Sequence, residues 1–356
     1  MPRPDLSVVV PTLDEAEALP ALLAALAAQR GIALETIVAD GGSTDATPAI
    51  AAAHGARVVA APRGRGAQMN AGAAVAAGEW LLFLHADCRP TADDQLRRAL
   101  DTLRARPDRR TAGHFALRFE RTGADHDFLY RYMEAKSATG RPHSINGDQG
   151  TMVPAAWFRA LGGFDESLPF LEDQRFAARV REHGTWRLLP GRLATSARRF
   201  EREGAGRRYL LMAIIMGLYA ADLRAFFERA PDVYRVQAET DRVLLTPYFR
   251  LIRRLMREMG AREALRRWYA VGGFVAEQTW QPCLALELLL ARPLGGRRPV
   301  TALHDLGLDR LVRHPPGRAL VGAATLVVSL GLLAPWRRWR ERDALRRIDG
   351  RASPGR

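Results

Sequence analysis

Asp87 follows the apolar run Trp80 to Leu84 in the segment His85-Ala86-Asp87-Cys88-Arg89, so a carboxylate is expected at the tip of a buried strand. Held by such a carboxylate, Mg²⁺ or Mn²⁺ can bridge to a diphosphate and stabilise the charge that develops as it departs, without any proton transfer. Asp40, in Asp40-Gly41-Gly42-Ser43-Thr44-Asp45, can accept a hydrogen bond from a base N–H, and its glycines let the backbone pass close to a ring and ribose. The same residues also suit a plain turn and helix cap. Glu172-Asp173 precedes the helical run Phe176, Ala177 and Val180, which stops at Gly184. Carboxylates at a helix N-terminus are stabilised as anions, and one there can take the proton from an attacking hydroxyl. Arg63 and Arg65 flank Gly64 in a loop that lacks the spacing of a dinucleotide fingerprint and reads as a phosphate or substrate contact. His85, beside the metal carboxylate, reads as a supporting or packing residue rather than a ligand.

The elements that must position these groups alternate. Leu6 to Val10 is a strand ended by Pro11, and Asp14 with Glu17 forms a capping box that opens a helix through Leu19, Leu22, Leu23 and Leu26. Glu35 to Asp40 is a second strand, with Ser43 or Thr44 capping a helix that stops at Gly55. Arg57 to Ala60 is a third strand and Ala67 to Ala77 a small-residue helix closed by Gly78 before the strand that leads to Asp87, with a further helix starting near Thr91. Alternation with short connections predicts an α/β fold, a right-handed, Rossmann-like, mostly parallel sheet with helices on both faces. Ligands bind such sheets outside the strands' carboxyl ends. That edge gathers Thr12 to Glu15, Asp40, Arg63 to Asn70, and Asp87, a set suited to a nucleotide-diphosphate sugar.

Five ordered motifs, Ser7-Val8-Val9-Val10-Pro11-Thr12-Leu13-Asp14-Glu15, Asp40 to Asp45, the Asp87 site, Gly162-Gly163-Phe164-Asp165-Glu166 and Glu172-Asp173, resemble those of family 2 glycosyltransferases. The likeness covers about residues 5 to 235. Within the family the chain is most similar to the arsenosugar-biosynthesis subgroup, through His85-Ala86-Asp87, Gly147-Asp148-Gln149-Gly150 and Thr195 to Arg202. The resemblance implies a GT-A fold, a nucleotide-activated donor with a UDP-sugar favoured, a divalent metal at Asp87, and transfer with inversion to a hydroxyl acceptor that it does not fix. It also implies that Asp173 is the base and Glu172 its support. The positions expected to contact the donor are Pro11, Thr12, Glu15, Asp40, Gly41, Arg63, Arg65, Gln68, Asn70 and Ala86. Asp148 is a candidate donor or acceptor contact. Arg198 and Arg199 suit either a bidentate phosphate clamp or a solvated basic turn. Two departures stand out: relatives often carry two or three acids where this chain has only Asp87, and Asp14 replaces a frequent Asn.

Over residues 1–235 the chain reads as the catalytic domain, and over 236–356 as a basic, mainly helical extension. Residues 241–356 hold 22 arginines against 10 acids, so they carry +12 of the chain's +14. Only Lys136 departs from arginine among the 53 basic residues, a compositional bias that does not explain the shortage of acids in the extension. Ala319 to Trp336 is a charge-free run of 18 residues between arginines. It suits an interfacial or hairpin-like association with an anionic membrane, or a buried helix, better than a simple span, which would oppose the positive-inside tendency. The charge-free Tyr209 to Ala221 is too short to cross and suits the same surface. Phe249 to Ala291 reads as helical, with Leu251, Leu255, Met259 and Leu265 as core positions. An apolar, basic extension would also suit transfer to a polyprenyl phosphate, whereas a nucleotide-sugar-binding scaffold would require Asp87 and Asp173 to be silent. Nucleic acid is disfavoured, because no helix-turn-helix, zinc-ligand set or RNP-like aromatic pattern accompanies the charge. A sugar nucleotidyltransferase is disfavoured because the first strand leads to Pro11-Thr12-Leu13 instead of a glycine-rich triphosphate loop. Two cysteines, Cys88 and Cys283, and a polar Met1 to Asp5 with no signal peptide fit a cytoplasmic protein, peripheral on the inner membrane face.

Overall fold

A computed structural model of the chain describes residues 3–167, 170–235, 242–290 and 297–351. They form two compact units, Met1–Ala197 and Arg198–Arg356. The boundary expected at 235/236 lies outside the described residues, and the helices over 198–235 pack within the second unit.

The first unit runs β1 (Leu6–Thr12), α1 (Leu19–Ala27), β2 (Leu34–Asp40), α2 (Thr47–Ala53), β3 (Arg57–Ala60), α3 (Arg65–Val75), β4 (Trp80–Phe83), β5 (Cys88–Pro90), α4 (Gln95–Arg104), β6 (Thr111–Glu120), α5 (Asp127–Ser137), β7 (Thr151–Pro154), α6 (Ala155–Ala160), α7 (Glu172–His183) and β8 (Thr185–Ser196). The eight strands form one sheet in the order β3-β2-β1-β4-β7-β6-β8-β5. Four of the seven pairings are parallel: β1 with β2 and β4, β2 with β3, and β6 with β8. This is the mostly parallel α/β sheet expected, a parallel β3-β2-β1-β4 half continued by an antiparallel β7. Because β1, β2 and β4 run the same way, the loops after Thr12, Asp40 and Phe83 emerge at one edge.

Local sequence sets these elements. In β1 every residue is buried, and Val8, Val9 and Val10 suit a strand covered on both faces. α3 approaches β1 closely enough that a Cβ at Gly72 would lie 2.4 Å from Val9 Cγ1. Phe158, Phe164 and Phe176 pack with their ring centroids 4.9–5.4 Å apart, and Phe83 lies 4.8 Å from Phe164. Such aromatic burial is a large apolar contribution. Here it fixes the N-terminal end of α7 and the Gly162–Glu166 loop beneath the sheet edge.

Three local expectations are corrected. Asp14 and Glu17 do not cap α1, which starts at Leu19 with no side-chain cap. Instead Asp14 Oδ1 accepts from the Thr44 N–H at 2.7 Å, while the Asp14 N–H donates to Ser43 Oγ at 2.9 Å, lacing the loops after β1 and β2 together. α2 begins at Thr47 rather than after Ser43 or Thr44, with the Thr47 N–H bonded to Asp45 Oδ1 at 2.9 Å. The helix expected near Thr91 starts at Gln95, whose Oε1 takes the Thr91 N–H at 2.9 Å.

The second unit is helical. Helices Thr246–Glu258, Ala261–Glu277 and Trp280–Leu289 bear out the helical reading of 249–291. Leu251 and Leu255 are buried and Met259 is half-buried, but Leu265 is exposed, because it falls on the outer side of its helix beside Arg266. The helix Pro315–Arg340 includes a wider turn over Val327–Leu333. It packs through small residues: a Cβ at Gly272 would meet the Gly322 Cα at 2.5 Å, and Trp268 Nε1 donates to the Gly322 carbonyl at 2.9 Å. Only 11% of its apolar window is buried, which overturns the buried-helix alternative. Leu303, Leu306 and Leu311, in the preceding turns, are also exposed.

Candidate active site

Asp87 occupies the turn between β4 and β5, at the sheet edge, half-buried. Ligand atoms of His85, Asp87 and Cys88 all lie within 4.8 Å of one another. Burial first, and then the charges of Asp87 and Asp148, push the Cys88 thiol well above its ordinary range. The thiol is buried and donates to Thr195 Oγ1 at 3.3 Å, which gives Cys88 a packing role beside the hard oxygen donors. The donor set left at this point is carboxylate and imidazole, the chemistry that suits Mg²⁺ or Mn²⁺ through oxygen and tolerates a nitrogen.

Asp148 joins that set from the short turn Gly147–Gln149. It is half-buried, but its Oδ1 is shut off from solvent with no hydrogen-bond partner. Burial, followed by the neighbouring charges of Asp173 and Asp87, pushes its carboxyl up to about 7. A buried, unpartnered carboxylate oxygen facing two further carboxylate charges is what a divalent cation would neutralise. The residues therefore fit the metal that the sequence implies. In chelator-treated protein, Asp148 holds a proton in the folded state between about pH 4 and 7 that it lacks when unfolded, so stability falls as pH rises through that window. The Asp148→Asn variant is expected to be more stable than the parent at pH 8 by on the order of 1–3 kcal/mol, with the difference vanishing towards pH 4. Thermal unfolding across pH in EDTA measures it, and a pH-independent difference would refute the assignment.

Glu172 and Asp173 are the first residues of α7. Asp173 Oδ2 accepts from the Gly147 N–H at 2.7 Å, and Oδ1 from the Gln174 N–H at 2.8 Å. Oδ2 also takes a long hydrogen bond from Gln174 Nε2 at 3.5 Å, which leaves Oδ1 with a lone pair for a substrate proton. Gln174 is the positioning residue that the sequence did not reveal. Its Nε2 bonds the Ile145 carbonyl at 2.7 Å and Asn146 Oδ1 at 3.1 Å, which holds the segment carrying the Gly147 N–H. Gly147 sits close to the site, where a Cβ would stand 2.9 Å from His85 Nε2 and push that ring aside. Behind this turn, Gln149 Oε1 meets His114 Nδ1 at 3.0 Å, and burial lowers His114 to about 4, so the ring stays neutral. Glu172 is 2% exposed and its carboxyl is pushed up by burial, which the Arg65 guanidinium partly offsets from 3.5 Å. Arg65, at the start of α3, also places Nη1 3.5 Å from His85 Nε2. One arginine thus bridges the acid pair and the metal-side histidine.

The other expected contacts divide. Pro11, Thr12 and Ala86 are buried at the edge, Glu15 is half-buried, and Arg63 is exposed on its loop. Asp40 is turned inward: its oxygens accept from the Gly42 and Ser43 N–H groups, Ser43 Oγ and Thr12 Oγ1 at 2.5–3.2 Å. Burial raises its carboxyl, but these four donors outweigh that and hold it below its ordinary value. In this arrangement Asp40 braces the turn, as the plainer alternative expected. Gln68 Nε2 is spent on the carbonyls of Thr12 and Ala39, at 2.6 and 3.1 Å, strapping β1 to β2. Gly41 leaves room for that amide, since a Cβ there would meet it at 2.9 Å. Asn70 staples the Gly162–Glu166 loop, donating to the Phe164 carbonyl and accepting from its N–H, both at 2.9 Å. Gln68 and Asn70 thus tie the scaffold of the edge together. Arg198 and Arg199 open a helix of the second unit, Arg198–Glu203.

Residues 7–159 match the family model described as glycosyl transferase family 2, which covers most of the first unit. Among curated proteins, an uncharacterized glycosyltransferase of Mycobacterium tuberculosis is 42% identical over 89 residues, 25% of this chain and 39% of that protein. The succinoglycan biosynthesis protein ExoO of Rhizobium meliloti is 36% identical over 105 residues, 28% of this chain and 29% of that one. The chain thus spans about two fifths or less of the length of these curated relatives. Among solved structures, a mannosyltransferase from Pyrobaculum calidifontis in complex with GDP-Man and Mn²⁺ aligns with TM-score 0.45 and 18% identity, over 91% of this chain and 87% of that chain. TarS 1–349 of S. aureus in complex with UDP-GlcNAc aligns with TM-score 0.45 and 16% identity, over 89% of each chain.

Proposed function

We propose that this protein is a glycosyltransferase that moves a sugar from a nucleotide-diphosphate donor to a hydroxyl acceptor, with a divalent metal and with inversion at the anomeric carbon. The observation that carries it is Asp87 clustered with His85 at the carboxyl edge of the parallel strands, with Asp148 close enough to feel the charges of both Asp87 and Asp173, and Arg65 beside His85. The family 2 match over residues 7–159 supports the same reading.

In this reading Asp87, with Asp148 behind it, holds Mn²⁺ or Mg²⁺, which would supply charge stabilisation for the departing diphosphate. Arg65 adds a fixed positive charge on that side, oriented by Glu172. Asp173 lies across Gly147 from His85, its two oxygens held by backbone N–H groups so that the carboxylate cannot swing away. The acceptor hydroxyl gives its proton to Asp173 as its oxygen bonds to the anomeric carbon. The bond from that carbon to the diphosphate breaks on the opposite face, and its electrons leave with the nucleotide diphosphate. One displacement inverts the centre. The nucleotide is proposed to be uridine and the compartment the cytosol, where such donors are made. The closer likeness to the arsenosugar-biosynthesis subgroup rests on the His85-Ala86-Asp87 and Gly147–Gly150 residues and does not designate an acceptor.

Thermal shift of the full chain with UDP-, GDP- and ADP-sugars, with and without Mn²⁺, tests the reading. A ligand that binds the folded state raises the midpoint by mass action. A metal-dependent rise with one nucleotide supports it, and no rise with any donor, metal present, counts against it.

A further inference from the structure

The C-terminal unit carries an apolar surface that the transfer chemistry does not use. Among the described residues, sixteen of the nineteen large hydrophobic side chains that are exposed lie beyond residue 197. Six of them, Leu320, Val327, Val328, Leu332, Trp336 and Trp339, sit on the helix Pro315–Arg340, with Leu320 72% and Leu332 63% exposed. Soluble proteins seldom leave so many large apolar side chains of one helix uncovered.

Charge marks what covers it. Arg310, Arg313 and Arg318 precede the apolar run, and Arg337, Arg338, Arg340 and Arg342 follow it. Few acids oppose them: Asp309 pairs with Arg313 at 2.7 Å, Asp343 lies 3.7 Å from Arg342 and Glu277 3.9 Å from Arg318, while Glu341 is buried, accepting from the Thr246 N–H at 2.9 Å. An apolar strip with indole rings at one end and arginines at both matches the layering of an anionic bilayer surface, hydrocarbon beneath and phosphate at the rim.

The helix is long and apolar enough to cross a membrane, yet its middle is tied to protein. Arg253 Nη2 donates to the Leu330 carbonyl at 2.5 Å, and Trp268 bonds the Gly322 carbonyl. A guanidinium at the midpoint of a spanning helix would sit at the costliest depth of the bilayer. We propose that the C-terminal unit is a monotopic membrane anchor, in which Pro315–Arg340 lies in the plane of an anionic leaflet with Leu320, Val328, Leu332, Trp336 and Trp339 in the acyl boundary and the flanking arginines on lipid phosphates. The proposal is independent of the glycosyl-transfer reading, since lipid binding needs neither donor nor metal.

The full chain is tested by flotation with vesicles of phosphatidylcholine alone or with added phosphatidylglycerol. Co-flotation with the anionic vesicles, reversed by 0.5 M NaCl, is expected. Arg337→Gln/Arg338→Gln/Arg340→Gln should weaken binding to anionic vesicles on the order of 10²-fold, and Trp336→Ser/Trp339→Ser by at least about tenfold. Circular dichroism identical to the parent shows that these surface variants fold. Failure to float would overturn the proposal. So would a salt-resistant insertion, which would mean a spanning helix, or a dimer in light scattering that the tryptophan variants dissolve, which would give the surface to a second copy of the chain.

Discussion

The Asp173→Asn variant is expected to lose about 10²- to 10⁴-fold in transfer rate, the usual worth of a positioned general base. An asparagine at this place keeps the size of the side chain and can still accept the Gly147 N–H through its carbonyl oxygen, while its amide NH2 gives up the bond from the Gln174 N–H. Donor binding should therefore stay nearly constant while turnover collapses. Release of nucleotide diphosphate at saturating donor measures it, and a loss smaller than about tenfold removes Asp173 as the base. Glu172→Gln should act differently. Glu172 is buried and its link to the reaction runs through Arg65, so its loss should raise the donor requirement as well as lower the rate.

The Asp87→Ala variant is the second large effect. A bound metal contributes several kcal/mol to a charged leaving group, so turnover should fall on the order of 10²- to 10³-fold and no longer respond to Mn²⁺. Asp148 and Asp173 remain in this variant, and Asp148 no longer feels the Asp87 charge, so the fold should be retained. The comparison that separates ligand from neighbour is His85→Ala. As a residue supporting the site, its removal should cost no more than about 10- to 100-fold in metal affinity. Calorimetric titration of Mn²⁺ in the presence of nucleotide diphosphate distinguishes the two. Equal affinity for Mn²⁺ in the parent and in Asp87→Ala would place the metal elsewhere.

Much of this centre is written locally. An apolar run followed by Asp87, and an acid pair followed by Phe176, Ala177 and Val180, are patterns that a strand end and a helix start produce by themselves, and both occur where expected. What the local pattern does not carry is the partner of a polar side chain far along the chain. Asn70 and Phe164 are 94 positions apart, and Gln68 lies 56 positions from Thr12, so their use as staples follows only once α3 lies against β1 and the Gly162–Glu166 loop. Asp14 looked like a helix cap because Glu17 stands three residues on, yet the stronger competitor was the loop after β2, which offers Asp14 the Thr44 N–H. Leu265 looked like core because helical spacing alone does not say which side of a helix meets its neighbours; its own helix buries Ala264 and Trp268 instead. Gln174 carried no signal of its own, since a glutamine inside a helix start is ordinary until Asn146 is brought to it.

The most direct test of the central claim is donor hydrolysis by the full chain titrated against Mn²⁺, with the parent, Asp87→Ala and Asp173→Asn side by side. The account predicts nucleotide diphosphate release that saturates with metal in the parent, a flat response in Asp87→Ala, and retained metal-dependent donor binding without turnover in Asp173→Asn. Release that is equal in all three proteins, or donor binding with no turnover in the parent at any metal concentration, would contradict it.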